Sequence, residues 1–141
     1  MTVKKKILPL LVFAVSLLHC TAAVQAAPVL AGHTGLAAQT LDGDAVRAVL
    51  LGKKITLGGI RVVIVVARAG DAQNAFLQSY TGMTTSQFLT YWRRLFMTGG
   101  GSAPRIVDTE ADARKLAAEI PGAIVILDSS NAAGLTALAA N

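Results

Sequence analysis

Cysteine is almost absent from this 141-residue sequence, in which Cys20 is the one thiol. One thiol excludes an internal disulfide framework, and a metal site built on thiolates goes with it. Histidine is nearly as scarce, with His19 and His33 alone. No serine stands in a nucleophile-elbow setting, so a Ser-His-Asp arrangement has no ordered pieces to draw on. A metal would have to rely on carboxylates, and Asp42 and Asp44 read instead as the start of a helix. These shortages point away from an enzyme and ask for no metal or cofactor. The main apolar run, residues 7–18, is shorter than the ~20 residues that a membrane-spanning helix needs.

That run follows Lys4, Lys5 and Lys6 and precedes small residues over 21–27. This is the three-part layout of a secretory signal peptide. Val24-Gln25-Ala26 puts small residues where a signal peptidase reads, so cleavage is expected after Ala26, with residues 27–141 forming one exported, periplasmic domain. Leu17-Leu18-His19-Cys20 ends the run as a lipoprotein signal would, but His19 stands where a small residue is needed. Cleavage after Ala26 removes Cys20 as well. Removing the three lysines from thirteen basic residues leaves ten against eight acidic ones, a net of +2. Nothing in that balance calls for nucleic acid. The remaining length suits one core.

The aromatic residues that are present gather in residues 84–98. Phe88, Leu89, Trp92, Leu95 and Phe96 repeat at helical spacing, which predicts an amphipathic helix with Trp92 and Phe96 in the core. Thr84 and Gln87 have capping-box spacing at its start, and Gly99-Gly100-Gly101 stops it. Before it, Pro28-Val29-Leu30-Ala31 reads as a first strand. A helix follows from Asp42, its N-cap, to Gly52, with Val46, Val49 and Leu50 on one face. Lys53 and Lys54 lie where the negative helix end favours them. Gly58-Gly59 makes a turn, and residues 61–67 form a β-branched run, the pattern of a strand buried on both faces. Asp71 is expected to cap the next helix, which carries Ala75, Phe76 and Tyr80. Residues 104–107 read as an extended link to a helix beginning near Asp108-Thr109-Glu110, with Ala113, Leu116, Ala117 and Ile120 as its buried stripe. Residues 123–127 form a second buried strand, and residues 135–138 a short last one. Strands alternating with helices predict an α/β or α+β domain with a mixed sheet flanked by helices.

The order of these motifs resembles the small phosphate-transporter substrate-binding-like proteins, single-domain relatives of the periplasmic phosphate-binding proteins. The resemblance is carried by the helix ending in Leu51-Gly52-Lys53, by Val62 to Val66 followed by Asn74-Ala75-Phe76, by Tyr91-Trp92 with Phe96-Met97-Thr98-Gly99, and by Pro121-Gly122-Ala123-Ile124. It covers residues 41–127. It implies a single lobe like one domain of a type II periplasmic binding protein. It also implies an exported, solute-binding role for phosphate or another small oxyanion in transport or sensing, with a membrane transporter or periplasmic signalling protein as partner. Arg68 matches the Arg of the parent proteins' anion loop, but the residues that follow it, Ala69 to Gln73, supply no hydroxyl. Val125-Ile126 stands where the pattern has Gly-Tyr. A lobe that has lost its ligand and serves as an interaction module is the alternative reading.

An oxyanion needs amide donors and a nearby cation. Arg68 can supply the cation, or form an ion pair. Thr98, Gly99, Gly100, Gly101 and Ser102 can present successive amides, or simply stop the helix. Ser129 can line the same cleft, or only turn the chain. An anion site at these residues requires the fold to bring Arg68, residues 98–102 and Ser129 together.

Overall fold

The structure is a computed structural model that describes residues 27–36 and 39–140. The signal-peptide and Cys20 readings lie outside them. The described elements run β1 (Pro28–Gly32), α1 (Gly43–Leu50), β2 (Thr56–Leu57), β3 (Ile60–Arg61), β4 (Val63–Ala67), α2 (Asp71–Thr81), α3 (Thr85–Met97), β5 (Arg105–Val107), α4 (Glu110–Glu119), β6 (Ala123–Asp128), a 3-10 turn over Ser129–Asn131, and β7 (Thr136–Ala140).

The main sheet has the order β5-β4-β6-β1-β7, and β2 pairs with β3 in a separate small hairpin. β4 lies parallel to both β5 and β6, while β1 runs antiparallel to β6 and β7. The fold is therefore α/β with a mixed sheet, in one small domain. Alternation along the strands divides the core between two faces. Leu30, Ile64, Val66, Ile124 and Ile126 pack under α1, α2 and α3, against Val46, Phe76, Phe88 and Trp92. Ala31, Val65, Ala67, Val125 and Leu127 face α4 through Ala113 and Ala117. The chain moves one way from β4 to β5 and back past β4 to β6. Right-handed crossovers in opposite directions require their helices on opposite faces, which is the observed division.

Local signals explain the elements. Asp42 Oδ1 accepts from the Ala45 amide at 2.7 Å, and Gly52 takes φ +74 just past the end of α1. Thr84 and Gln87 complete a reciprocal capping box on α3. Thr109 caps α4 by accepting from the Asp112 amide at 3.1 Å. Phe76 and Phe88 are fully buried, each contributing roughly 2–3 kcal/mol of apolar transfer. Among the described residues no helix is long and apolar enough to cross a membrane.

Four expectations need correction. Asp71 does not cap α2; the N-cap is Gly70, with no side-chain bond. The apolar run over 61–67 is broken at Val62, whose amide donates to the Ile55 carbonyl, so Arg61 belongs to the hairpin. Residues 105–107 are a strand, pairing with Val65, Val66 and Ala67. Phe96 is 55% exposed. Phe96 lies one residue from the end of α3, beyond the last buried residue Trp92, while Leu95 is half-buried beneath the returning Gly100.

Candidate functional site

Ligands of open α/β sheets commonly bind outside the carboxyl ends of parallel strands, where connections leave to opposite faces. Here that point lies between β4, which leads to α2, and β5, which leads to α4. Arg68 follows β4 and Asp108 follows β5, and Arg68 Nε donates to Asp108 Oδ1 at 3.0 Å. Their side chains are 67% and 81% exposed, so the pair contributes little stability. It nevertheless gives Arg68 an anion already. Ser129 follows β6 at the same end, and its amide donates to the Ala27 carbonyl. Glu110 and Asp128 add carboxylates at this end, beside the cation Arg114, whose guanidinium donates to the Ala133 carbonyl. Glu110 Oε1 accepts from the Asp128 amide at 2.8 Å and from Asn131 Nδ2 at 3.1 Å. The Ser130 hydroxyl and amide both donate to Asp128 Oδ1 and hold its carboxyl below its ordinary value. An added anion would meet repulsion here.

The glycine run lies elsewhere. Residues 98–104 connect α3 to the start of β5, whereas Arg68 lies beyond the end of β4. β5 starts with Arg105 in register with Val65, and the three steps from there to Arg68 span about 10 Å at ~3.3 Å per residue. Thr98, Gly99 and Gly100 donate their amides to the Arg94, Phe96 and Leu95 carbonyls, and the Thr98 hydroxyl donates to Arg94 and Leu95. These groups close the helix rather than face a ligand. A Cβ on Gly100 would stand 2.5 Å from Leu95 Cδ1, so that glycine allows the chain to fold back over Leu95. Arg68 and Ser129 thus share one end of the sheet, while Thr98, Gly99, Gly100 and Ser102 belong to the other.

At that other end a cleft of about 400 Å³ opens between the end of α1, the β2–β3 hairpin, α3 and the loop leading to β5. Val49, Val62, Ile64 and Trp92 form its apolar part. Trp92 is fixed there because its indole N–H donates to the Leu50 carbonyl at 3.0 Å. Among the described residues that line it, Lys54, Arg61 and Arg105 supply all the formal charge, and none is a carboxylate. Arg61 Nη2 donates to Ser102 Oγ at 2.9 Å, joining the hairpin to the glycine-rich loop. Arg105, in register with Val65, borders the cleft at the start of β5. Like charges around a concave surface focus a positive potential that attracts anions. A guanidinium also offers paired N–H donors that match an oxyanion.

Sequence reasoning singled out Ser102 but missed Lys54, Arg61 and Arg105. Lys54 looked like a partner for the helix dipole. A usable signal was Arg61 itself, a charge two residues after the Gly58-Gly59 turn and just before a buried strand. His33 accepts the Gly35 amide at Nδ1, 2.8 Å away, within its own turn. Among the described residues no group of three or more His, Cys, Asp or Glu is placed to hold a metal ion. Compared with known proteins, the chain matches no family model and no curated protein.

Proposed function

We propose that this chain is an exported, non-enzymatic solute-binding protein whose ligand, phosphate or another small oxyanion, is held in the Lys54–Arg61–Arg105 cleft. A transport or sensing role, with a membrane transporter or periplasmic signalling protein as partner, belongs to the same reading. The observation that carries it is the lining: three cations, one hydroxyl, the glycine-rich loop and no acid. This differs from the site expected around Arg68, which is already paired with Asp108. The cleft is open, as a lone lobe's would be, so affinity is weak unless a partner covers it.

Isothermal titration of the folded protein with inorganic phosphate tests this reading. Heat of binding at roughly millimolar ligand is expected, and it should fall in Arg61→Ala. The absence of heat from folded protein with both inorganic and organic phosphates would remove the proposal. A second reading, a ligand-free interaction module, draws on Phe96 and Met97, which are 55% and 78% exposed at the end of α3. Recovery of a periplasmic partner that Phe96→Ser abolishes, with no anion binding, would favour it.

A further inference from the structure

The cleft is larger than a bare oxyanion requires. Its volume of about 400 Å³ falls within the ~300–1,000 Å³ typical of pockets for organic ligands. Its chemistry is also divided. Arg61, Lys54 and Ser102 can address an anionic head, and Arg105 borders the same cleft. The rest is apolar. Ile55 is 53% exposed on the loop before β2, Val62 and Pro104 are half-buried, and Trp92 presents the edge of its ring beside Gly52 and Gly101. Exposed and half-buried apolar side chains beside cations fit a ligand that is apolar at one end and charged at the other, because burial of the apolar end adds affinity in proportion to its area.

Resting on the anion reading above, we infer that the cleft takes an organic oxyanion with a ring-sized apolar body, its head at Arg61 and Lys54 and its body against Ile55, Val62 and Trp92. The hairpin would then select the ligand. Arg61 ends one arm and Ile55 directly precedes the other, the two sides joined at the base by the Val62 amide donating to the Ile55 carbonyl at 2.9 Å. One small element therefore carries both the charge and the apolar contact.

Trp92 is the one tryptophan in the sequence, so intrinsic fluorescence reports on the cleft directly. The purified protein is titrated with inorganic phosphate, phenyl phosphate and uncharged benzyl alcohol, by fluorescence and by calorimetry. Phenyl phosphate is expected to bind at least about tenfold more tightly than phosphate, ~1.4 kcal/mol, with benzyl alcohol weaker than phenyl phosphate by a similar factor. Ile55→Ser should reduce the advantage of phenyl phosphate and leave phosphate unchanged, whereas Arg61→Ala should weaken both. Equal affinity for phosphate and phenyl phosphate would overturn the organic-ligand inference and leave the anion reading standing. Binding of benzyl alcohol as tightly as phenyl phosphate, or no binding of either phosphate by folded protein, would overturn both.

Discussion

Trp92 donates its indole N–H to the Leu50 carbonyl oxygen at 3.0 Å, from one helix to the end of another. Its neighbour Tyr91 donates its hydroxyl to the Leu51 carbonyl at 2.6 Å. The last carbonyls of a helix have no amide partner of their own, so adjacent residues of α3 here complete the C-terminus of α1. The two rings meet edge-on at 6.1 Å. Gly52 makes the approach possible, because a Cβ there would lie 2.7 Å from Trp92 Cη2. The Tyr-Trp pair is thus structural, and Trp92 also lines the cleft.

Trp92→Phe should accordingly destabilise the protein by about 2–3 kcal/mol, through a buried carbonyl left without its donor and a void beside Gly52. Tyr91→Phe should cost about 1 kcal/mol, because its carbonyl is nearer to solvent. Urea unfolding midpoints measure both. A Trp92→Phe midpoint equal to that of the unaltered protein would show that the bond contributes nothing.

Gln73 supports a second junction, with its side chain only 3% exposed. Its Oε1 accepts from the Ala67 amide at 3.0 Å and its Nε2 donates to the Ala67 carbonyl at 2.8 Å, so the carboxamide pairs with β4 as another strand would. Nε2 also donates to Thr85 Oγ1 at 3.2 Å, holding the start of α3. Gln73→Leu keeps much of the volume but leaves both Ala67 groups unpaired. The expected loss is about 2–4 kcal/mol, with faster hydrogen exchange at Ala67. Unchanged exchange at that amide would contradict the pairing.

Gly122 sits at φ +80, and a Cβ there would overlap the Arg61 carbonyl oxygen. Its own carbonyl accepts from the Val63 amide at 2.9 Å, so this glycine holds the chain at the point where β3 passes into β4. Gly122→Ala should cost at least about 2 kcal/mol through backbone strain and collision. Weaker anion binding is expected alongside, since Arg61 must shift. Thermal unfolding of the variant gives the first quantity; a melting temperature within a degree or so of the parent would refute it.

Much of this architecture was legible because its signals are local. Asp42 and Gly52 bracket α1, Thr84 and Gln87 begin α3, and the apolar runs of β4 and β6 report burial on both faces. β5 was not legible: three residues after a proline have no periodicity, and only pairing with β4 makes them a strand. Phe96 matched the helical spacing, but burial on α3 ends at Trp92, and spacing alone does not report how far along a helix the core extends. Gln73 gave no signal because its partners are backbone atoms. The cleft was hidden for a related reason. Arg61 and Ser102 are distant in sequence, and neither neighbourhood reports that the hairpin folds against the glycine-rich loop. Arg68 was conspicuous, yet its partner, Asp108, comes from the end of another strand.

Asp128 gives the protein a pH dependence whose sign follows from its hydrogen bonds. The Ser130 hydroxyl, and then the Ser130 amide, lower its carboxyl from an ordinary 3.8. A group depressed on folding contributes stability that is fully present above its unfolded value and is lost as pH falls through the folded one. The stability difference between the unaltered protein and Asp128→Asn should therefore be constant above about pH 5 and shrink below 3.8. Urea unfolding of both proteins over about pH 2–6 measures it. A difference that grows on acidification would reverse the sign.

Arg61 and Arg68 flank β4 at opposite ends, and their surroundings assign them opposite weights. Arg68 has Asp108 at 3.0 Å and acidic neighbours at its end of the sheet, while Arg61 has the Ser102 hydroxyl and shares its cleft with Lys54. Arg68→Ala should change stability by no more than about 0.5 kcal/mol and leave anion affinity unaltered. Arg61→Ala should weaken phosphate or phenyl phosphate about tenfold, the effect of one charge-assisted contact near 1.4 kcal/mol. Lys54→Ala should weaken it less, since a flexible ammonium is a point charge without the paired donors of a guanidinium. Raised salt should narrow the gap between parent and Arg61→Ala by screening an open cleft. If Arg68→Ala abolished binding and Arg61→Ala did not, the anion would belong at the carboxyl end of β4 and the cleft assignment would fall.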